Sequence, residues 1–170
     1  MTLDELNAAD RDAFVATLGG IFEHSPWVAA RAFGARPFDS VDALHAAMVG
    51  AMRAAARDEQ LALIRAHPEL AGRAALRREL TADSANEQSG AGLTQCSPEE
   101  LARLVDLNAR YRAKFGFPFV LAVKGRDRAG VIAELARRLE RDPATEFAEA
   151  LEQIARIAAL RLADRLPDGA

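Results

Sequence analysis

The chain of 170 residues carries 22 basic and 25 acidic residues, and half of its residues are hydrophobic, so we predict one domain over 1–170 with a sizeable core. The net charge of -3 is spread without a basic stripe, which excludes nucleic acid as an expected partner. A single cysteine excludes an intramolecular disulfide, and without a leader or a long apolar run we expect no membrane and a cytoplasmic location.

Helix start and stop signals recur along the Ala- and Leu-rich chain, and no long strand-like alternation interrupts them. We therefore predict an all-α fold, a single compact domain of about seven to nine helices. In the first half, helices are expected over 10–18, 26–33, 41–55 and 58–66. Ser25 and Ser40 are the expected N-caps of the second and third, with Pro26 in the first helical position. The fourth should end near His67, because Pro68 disfavours the α conformation in the residue before it.

In the second half, Ser97-Pro98-Glu99-Glu100 reads as a capping box. It predicts a long helix that ends at Gly116, with inward side chains at Leu101, Leu104, Val105 and Phe115. The apolar run 117–123, FPFVLAV, is short and contains Pro118, so it is interpreted as a buried extended connector. A helix over about 129–141 and a last one, capped by Asp142 and reaching about Leu166, complete the prediction.

The three histidines, His24, His45 and His67, are far apart and show no metal-ligand spacing, so no metal site is predicted. His45 reads as a packing residue within an amphipathic helix, and His24 as a turn or capping residue. His67 differs because Pro68 pushes its backbone out of the helix and can aim the ring into a cavity. Taken alone, a His-Pro pair is as consistent with a structural role as with a catalytic one.

A second candidate is the stretch Ser84-Ala-Asn-Glu87-Gln88. In a helix Ser84, Glu87 and Gln88 occupy positions i, i+3 and i+4, which places a hydroxyl, a carboxylate and an amide on one face. Such a face can bind the edge of a polar ring, and the small residues 89–92 would allow close approach. The alternative is a solvated helix face.

A third candidate is Arg161 on the last predicted helix. At about 100° per residue it falls within the buried sector, between Ile154 and Ile157, whereas Arg156 points the opposite way. An inward guanidinium requires an anion, which is either a ligand or a protein acid such as Glu87. No GxSxG, P-loop or GxGxxG motif is present, and Cys96 lacks an evident base.

Five stretches together resemble the 2-oxo-4-hydroxy-4-carboxy-5-ureidoimidazoline (OHCU) decarboxylases of urate breakdown, over nearly the whole chain. The stretches are FEHSPWVAARAF, HPEL, LTADSANEQSGAGL, FGFPFVLAVKGR and IARIAALRL. The most specific pieces are the HPEL, the Ser-x-x-Glu-Gln and the late arginine, in that order and at the family's distances.

The resemblance implies an all-helical enzyme without cofactors, commonly a homodimer, that converts OHCU to (S)-allantoin. It implies catalytic roles for His67, Glu87 and Arg161. Substrate contacts are implied for Pro68, Ser84, Gln88 and the main chain of Phe119, Val120, Leu121, Ala122 and Val123. Relatives in animals and plants often end in a peroxisomal Ser-Lys-Leu, whereas this chain ends Pro-Asp-Gly-Ala, which fits a cytoplasmic enzyme.

Two alternatives stay open at this point. In one, the three implied catalytic residues form a buried polar network in a non-enzymatic helical module that binds a partner protein. In the other, the same fold acts on another small ureido or imidazole acid.

Overall fold

The computed structural model describes residues 1–72 and 79–167, so Arg73 and the last three residues of the Pro-Asp-Gly-Ala ending lie outside the described part. The described residues contain nine α-helices and no β-strand, which confirms the predicted all-α fold of seven to nine helices. The helices are α1 (Leu3–Ala8), α2 (Arg11–Leu18), α3 (Trp27–Ala32), α4 (Val41–Ala54), α5 (Arg57–Ala66), α6 (Ala82–Gly90), α7 (Pro98–Phe115), α8 (Arg128–Leu139) and α9 (Pro143–Arg165).

Local capping explains why most of these helices begin and end where the sequence predicts. The Ser40 hydroxyl accepts a hydrogen bond from the Ala43 amide at the start of α4. Ser97 and Glu100 form the predicted capping box at the start of α7, and Gly116 closes that helix with a left-handed φ of 76°. In these positions the signal and its partner lie within a few residues, so the sequence suffices.

The start of α3 differs from the prediction. Pro26, not Ser25, occupies the N-cap position, and no side chain caps the helix. The Ser25 hydroxyl instead donates to the Glu23 carbonyl at 2.9 Å, so it is not available as a cap. Helical structure also continues through Gly34 as a short 3-10 turn, Phe33–Ala35.

Two further expectations about the helices need correction. Val105 on α7 was expected to face inward, but 54% of its surface is exposed. The buried side of α7 is instead formed by Leu104, Leu107, Asn108 and Tyr111. The helix α1 was not predicted; it is a short segment held by a capping box between Thr2 and Glu5.

The chain divides into two compact units, the first Met1–Ala66 with Ile154–Ala170 and the second His67–Gln153. In the first unit, α3 packs against α2 and α4. The Phe14 ring is fully buried and meets Phe33 edge-to-face, with ring centroids 5.5 Å apart. The single domain over 1–170 stays a prediction.

In the second unit, α7 packs against α8, and an aromatic cluster forms around Tyr111. Its ring meets those of Phe117 and Phe119 edge-to-face, at centroid distances of 6.1 and 5.5 Å. The connector 117–123 has neither helix nor strand structure, and all its residues are buried except Ala122, which is half-buried. The prediction of a buried connector is confirmed.

A buried charged cluster lies behind this connector. Arg138 and Glu146 are both fully buried, and Arg138 Nε donates to Glu146 Oε1 at 2.7 Å. The Tyr111 hydroxyl donates to the same carboxylate oxygen at 2.6 Å. Arg141 Nη1 lies 3.3 Å from the other oxygen, Oε2. The cluster therefore pairs each buried charge with an opposite one.

Within the described residues, no helix is both long enough and apolar enough to span a membrane.

Tyr111 gives a direct test of this cluster, because it is the one tyrosine in the sequence. Burial raises the pKa of Tyr111, and its hydrogen bond to Glu146 raises this pKa further. We expect the native protein to show no tyrosinate absorbance at pH values of about 10, at which the tyrosine of the chain in denaturant already titrates.

The folded state thus holds the Tyr111 proton more tightly than the unfolded state. The resulting stability is present below the unfolded pKa and is lost as the pH rises above it. The variant Tyr111→Phe should lose this alkaline dependence of unfolding. Tyrosinate formation in the native protein at the same pH as in denaturant would contradict the prediction.

Candidate active site

His67 lies directly after α5, at the beginning of an irregular loop in the second unit. The helix ends at Ala66, as Pro68 predicts, and the His67 side chain is buried. Pro68 itself is half-buried. Four residues beyond His67, Ala71 has a φ of 52°. This value lies in the left-handed region, which residues other than glycine rarely adopt. Such a backbone needs external support.

That support comes from two amide side chains. Gln88 Oε1 accepts a hydrogen bond from the Ala71 amide at 2.9 Å, and Gln88 Nε2 donates to the Glu69 carbonyl at 3.3 Å. Asn108 on α7 donates to the Leu70 carbonyl at 2.9 Å. Three consecutive main-chain positions are therefore fixed just beyond His67 and Pro68. The backbone that carries the imidazole is restrained through them.

The polar face predicted on α6 is present. Ser84 and Gln88 are each 3% exposed, and Glu87 is half-buried. Thr81 caps the helix, its hydroxyl accepting from the Ser84 amide. The alternative of a solvated face does not hold for Ser84 and Gln88. Because the Gln88 amide already holds the loop, at most one N–H and one oxygen lone pair are left for a ligand.

The segment 119–123 lies in the same unit as His67 and the α6 face. Two of its main-chain groups are bound by side chains: Val120 O accepts from Arg138 Nη1 at 2.6 Å, and the Ala122 amide donates to Gln153 Oε1 at 3.0 Å. Neither Arg138 nor Gln153 was a candidate from the sequence. Arginine and glutamine are ordinary helix residues, so no local signal marks them as partners of the segment.

Arg161 lies in the first unit and is buried, as its helical position predicts, whereas Arg156 is exposed. Arg161 Nη1 is 2.8 Å from Oε2 of Glu23, and the Glu23 side chain is 2% exposed. The same nitrogen is 3.4 Å from the carbonyls of Gly20 and Ile21. The inward guanidinium thus has a protein acid as a partner, and this acid is Glu23.

Sequence reasoning did not identify Glu23. The available signal was an acidic residue directly after the apolar pair Ile21-Phe22, both of which are buried. The chain turns sharply beside it, since His24 has a positive φ of 47°. The His24 side chain is 67% exposed, which agrees with the turn role expected for it.

The remaining candidate side chains have structural partners. His45 Nε2 is 2.8 Å from the Ala155 carbonyl, in keeping with a packing role. Cys96 is half-buried, and desolvation raises the pKa of its thiol, so the environment does not activate a thiolate. Within 1–72 and 79–167, no three His, Cys, Asp or Glu side chains group so that they could hold a metal ion.

Comparison with known proteins identifies relatives along nearly the whole chain. Residues 7–163 match the family model described as OHCU decarboxylase. The chain is 46% identical to the 2-oxo-4-hydroxy-4-carboxy-5-ureidoimidazoline decarboxylase of Haloferax volcanii, with 97% of this chain and 96% of the relative covered.

Two longer proteins also contain a matching part. The uric acid degradation bifunctional protein PucL of Bacillus subtilis is 44% identical over 96% of this chain, which spans 32% of that protein. A crystal structure of (S)-allantoin synthase superposes with a TM-score of 0.77 at 31% identity, covering 98% of this chain and 54% of the longer one. This chain therefore spans about half of that solved chain.

The Glu23–Arg161 pair predicts a large effect on stability. The variant Glu23→Ala removes a carboxylate in direct contact with a buried guanidinium, so we expect the free energy of unfolding to fall by about 3 kcal/mol or more. Urea unfolding of the variant and the parent measures this difference. Glu23→Gln keeps an oxygen acceptor and should lose less.

The pair Arg31–Glu59 provides the control, because it is also a close contact between an arginine and a glutamate but lies at the surface. Glu59→Ala should cost far less than Glu23→Ala, since solvent screens an exposed pair. Equal losses in the two variants would show that burial of the Glu23 carboxylate does not matter.

Proposed function

Because the chain belongs to the OHCU decarboxylase family, we propose that it decarboxylates OHCU in urate degradation and releases (S)-allantoin. The observation that carries the proposal is a buried histidine, His67, on a loop that Gln88 fixes by two hydrogen bonds. Glu87, the residue before Gln88, lies on the same helix. The reaction requires an acid-base group held in a fixed position, and the His67 imidazole meets this requirement.

The chemistry itself makes few demands. The carboxylate of OHCU is attached beside a ring C=N bond. When its C–C bond breaks and CO₂ leaves, the electron pair enters the ring as a C=C bond, and the former C=N pair moves to the ring nitrogen, which takes up a proton. The intermediate then loses the hydroxyl proton and gains a proton at the neighbouring carbon, which becomes the stereocentre. Because the ring accepts the electrons, no cofactor is needed in this scheme.

The protein must therefore move protons and choose a face. We assign His67 to the proton transfer at the substrate hydroxyl or at the reacting carbon, since a free imidazole has a pKa of about 6.5. Glu87 orients the ring or the histidine. Arg161 holds the departing carboxylate or the charge that develops on the ring oxygen. The fork geometry of a guanidinium can serve more than one acceptor, so its contact with Glu23 is compatible with this role.

The remaining residues of the assignment shape the pocket. Ser84 and Gln88 bind the ureido and ring amide edges, and Pro68 forms part of the wall. The main chain of 119–123 supplies further hydrogen bonds. In this proposal the chain is a carbon-carbon lyase; the homodimer and the cytoplasmic location implied by the resemblance stay predictions.

The role of His67 is tested with His67→Ala. We expect the variant to keep its helical circular dichroism spectrum and to lose at least about 100-fold in kcat/KM, the usual scale for a general acid-base group. OHCU is generated in place from 5-hydroxyisourate and its loss is followed by ultraviolet absorbance. His45→Gln, which keeps a donor toward the Ala155 carbonyl, is the matched control and should act like the parent. Near-normal turnover by His67→Ala would remove the assignment.

The function as a whole is tested by the handedness of the product. OHCU decays by itself to racemic allantoin, so an enzyme that chooses the protonated face must yield one enantiomer. We expect the circular dichroism of the product to be that of (S)-allantoin when the protein is present. Racemic product at the uncatalysed rate would refute the proposed function.

A further inference from the structure

The segment 119–123 is buried, yet few of its main-chain N–H and C=O groups have hydrogen-bond partners among the described residues. Phe119, Val120, Leu121 and Val123 are 1 to 3% exposed, and no strand pairs with them in the described part of the chain. Among the described residues, the hydrogen bonds of these five residues are those of Val120 O and Ala122 N to side chains, and that of Val123 O with the Arg126 amide.

Other main-chain groups of the segment therefore lack a partner among the described residues. They include the N–H groups of Leu121 and Val123 and the carbonyl of Leu121. Buried N–H groups are paired in more than about 90% of cases, because an unpaired one costs the free energy of a lost hydrogen bond. Their concentration in one segment indicates that these groups serve a ligand.

The two side-chain contacts explain how the groups are oriented. They reach Val120 and Ala122, residues i and i+2, whose main-chain groups point to the same side of an extended chain. In such a chain the main-chain groups of residues i+1 and i+3, here Leu121 and Val123, point to the opposite side. A clamp on one side of the segment thus sets the direction in which the unpaired groups are presented.

The clamp residues are themselves held firmly. Arg138 is bound to Glu146, as described above, and its guanidinium carbon lies 4.5 Å from the centroid of the Phe119 ring. Gln153 Nε2 donates to Glu149 Oε1 at 2.7 Å, which fixes the amide with its oxygen toward the Ala122 amide. Each clamp residue therefore has a second contact that fixes its orientation.

We propose that Gln153 and Arg138 are positioning residues for the reaction. Through Ala122 and Val120 they set the direction of the main-chain groups of Leu121 and Val123, which bind the amide and ureido edge of the substrate. The inference rests on the proposed function, because the ligand that would form hydrogen bonds with these main-chain groups is the small polar substrate named there. A substrate held by its edge presents a fixed face to the proton donor, so the clamp controls stereochemistry as well as binding.

The test uses Gln153→Met in the full chain, a change that keeps the side-chain volume and removes the acceptor for Ala122 N–H. We expect kcat/KM for OHCU to fall by about 10-fold or more, mostly through KM, as small displacements in a site typically cause. The enantiomeric excess of allantoin should fall at the same time. Hydrogen exchange at the Ala122 amide should accelerate, which shows that the intended contact was lost.

Gln60→Met is the matched control. Gln60 also holds main chain, since its Nε2 donates to the carbonyls of Met52 and Arg53, but it lies in the first unit. The Gln60→Met variant should have a lower melting temperature than the parent, with the same KM and the same enantiomeric excess. This comparison separates a positioning role from general loss of stability.

Arg138→Lys is the second variant, with Arg137→Lys as its exposed control on α8. Lysine keeps the charge opposite Glu146 but lacks the fork that reaches Val120 O, so the same two kinetic readouts should change. If Gln153→Met and Arg138→Lys match their controls in KM and enantiomeric excess while the parent makes (S)-allantoin, the clamp proposal is wrong. A parent that makes no (S)-allantoin instead refutes the proposed function.

Discussion

A buried guanidinium needs a carboxylate beside it, and in the second unit Arg138 has one in Glu146. Glu146 neutralises it, Tyr111 adds a hydrogen bond to the same carboxylate, and the Val120 carbonyl accepts from it. Removing two charges from water costs several kcal/mol per ion. A buried pair is therefore weak evidence by itself that the fold is stabilised. Its clearer effect is geometric, because it ties α8 and α9 to a segment of irregular backbone.

The same solution recurs in the loop that carries His67. There, Gln88 and Asn108 provide the main chain of residues 69–71 with the partners that a strand would find in a sheet. Regular helices thus act as a scaffold, and their polar side chains hold two irregular segments in shape. Irregular backbone exposes N–H and C=O groups in directions that a helix cannot offer. This suits a family whose reaction depends on orientation and proton control.

Arg161 shows how one residue can satisfy two interpretations. From the sequence its partner was either a ligand or a protein acid, and the structure identifies Glu23 as an acid in contact. A buried arginine with a fixed carboxylate is held in one orientation, which a binding role also requires. The contact therefore describes how the guanidinium is held, while its action on a substrate belongs to the proposed function.

The sequence alone determined the features whose cause lies within a few residues. The Ser97–Glu100 capping box, the helix end before Pro68 and the inward direction of Arg161 all follow from local geometry. The family resemblance also came from the sequence, because its motifs are short and ordered.

The tertiary structure alone decided which groups meet. Glu23 and Arg161 are 138 residues apart in the chain, and Gln153 binds an amide 31 residues away. Val105 shows the converse, since an apolar residue beside the core stripe is left in solvent when no neighbour covers it. A cap or a periodic stripe is fixed by the bonds of one helix, but the partner of a buried charge depends on which distant segment folding brings beside it.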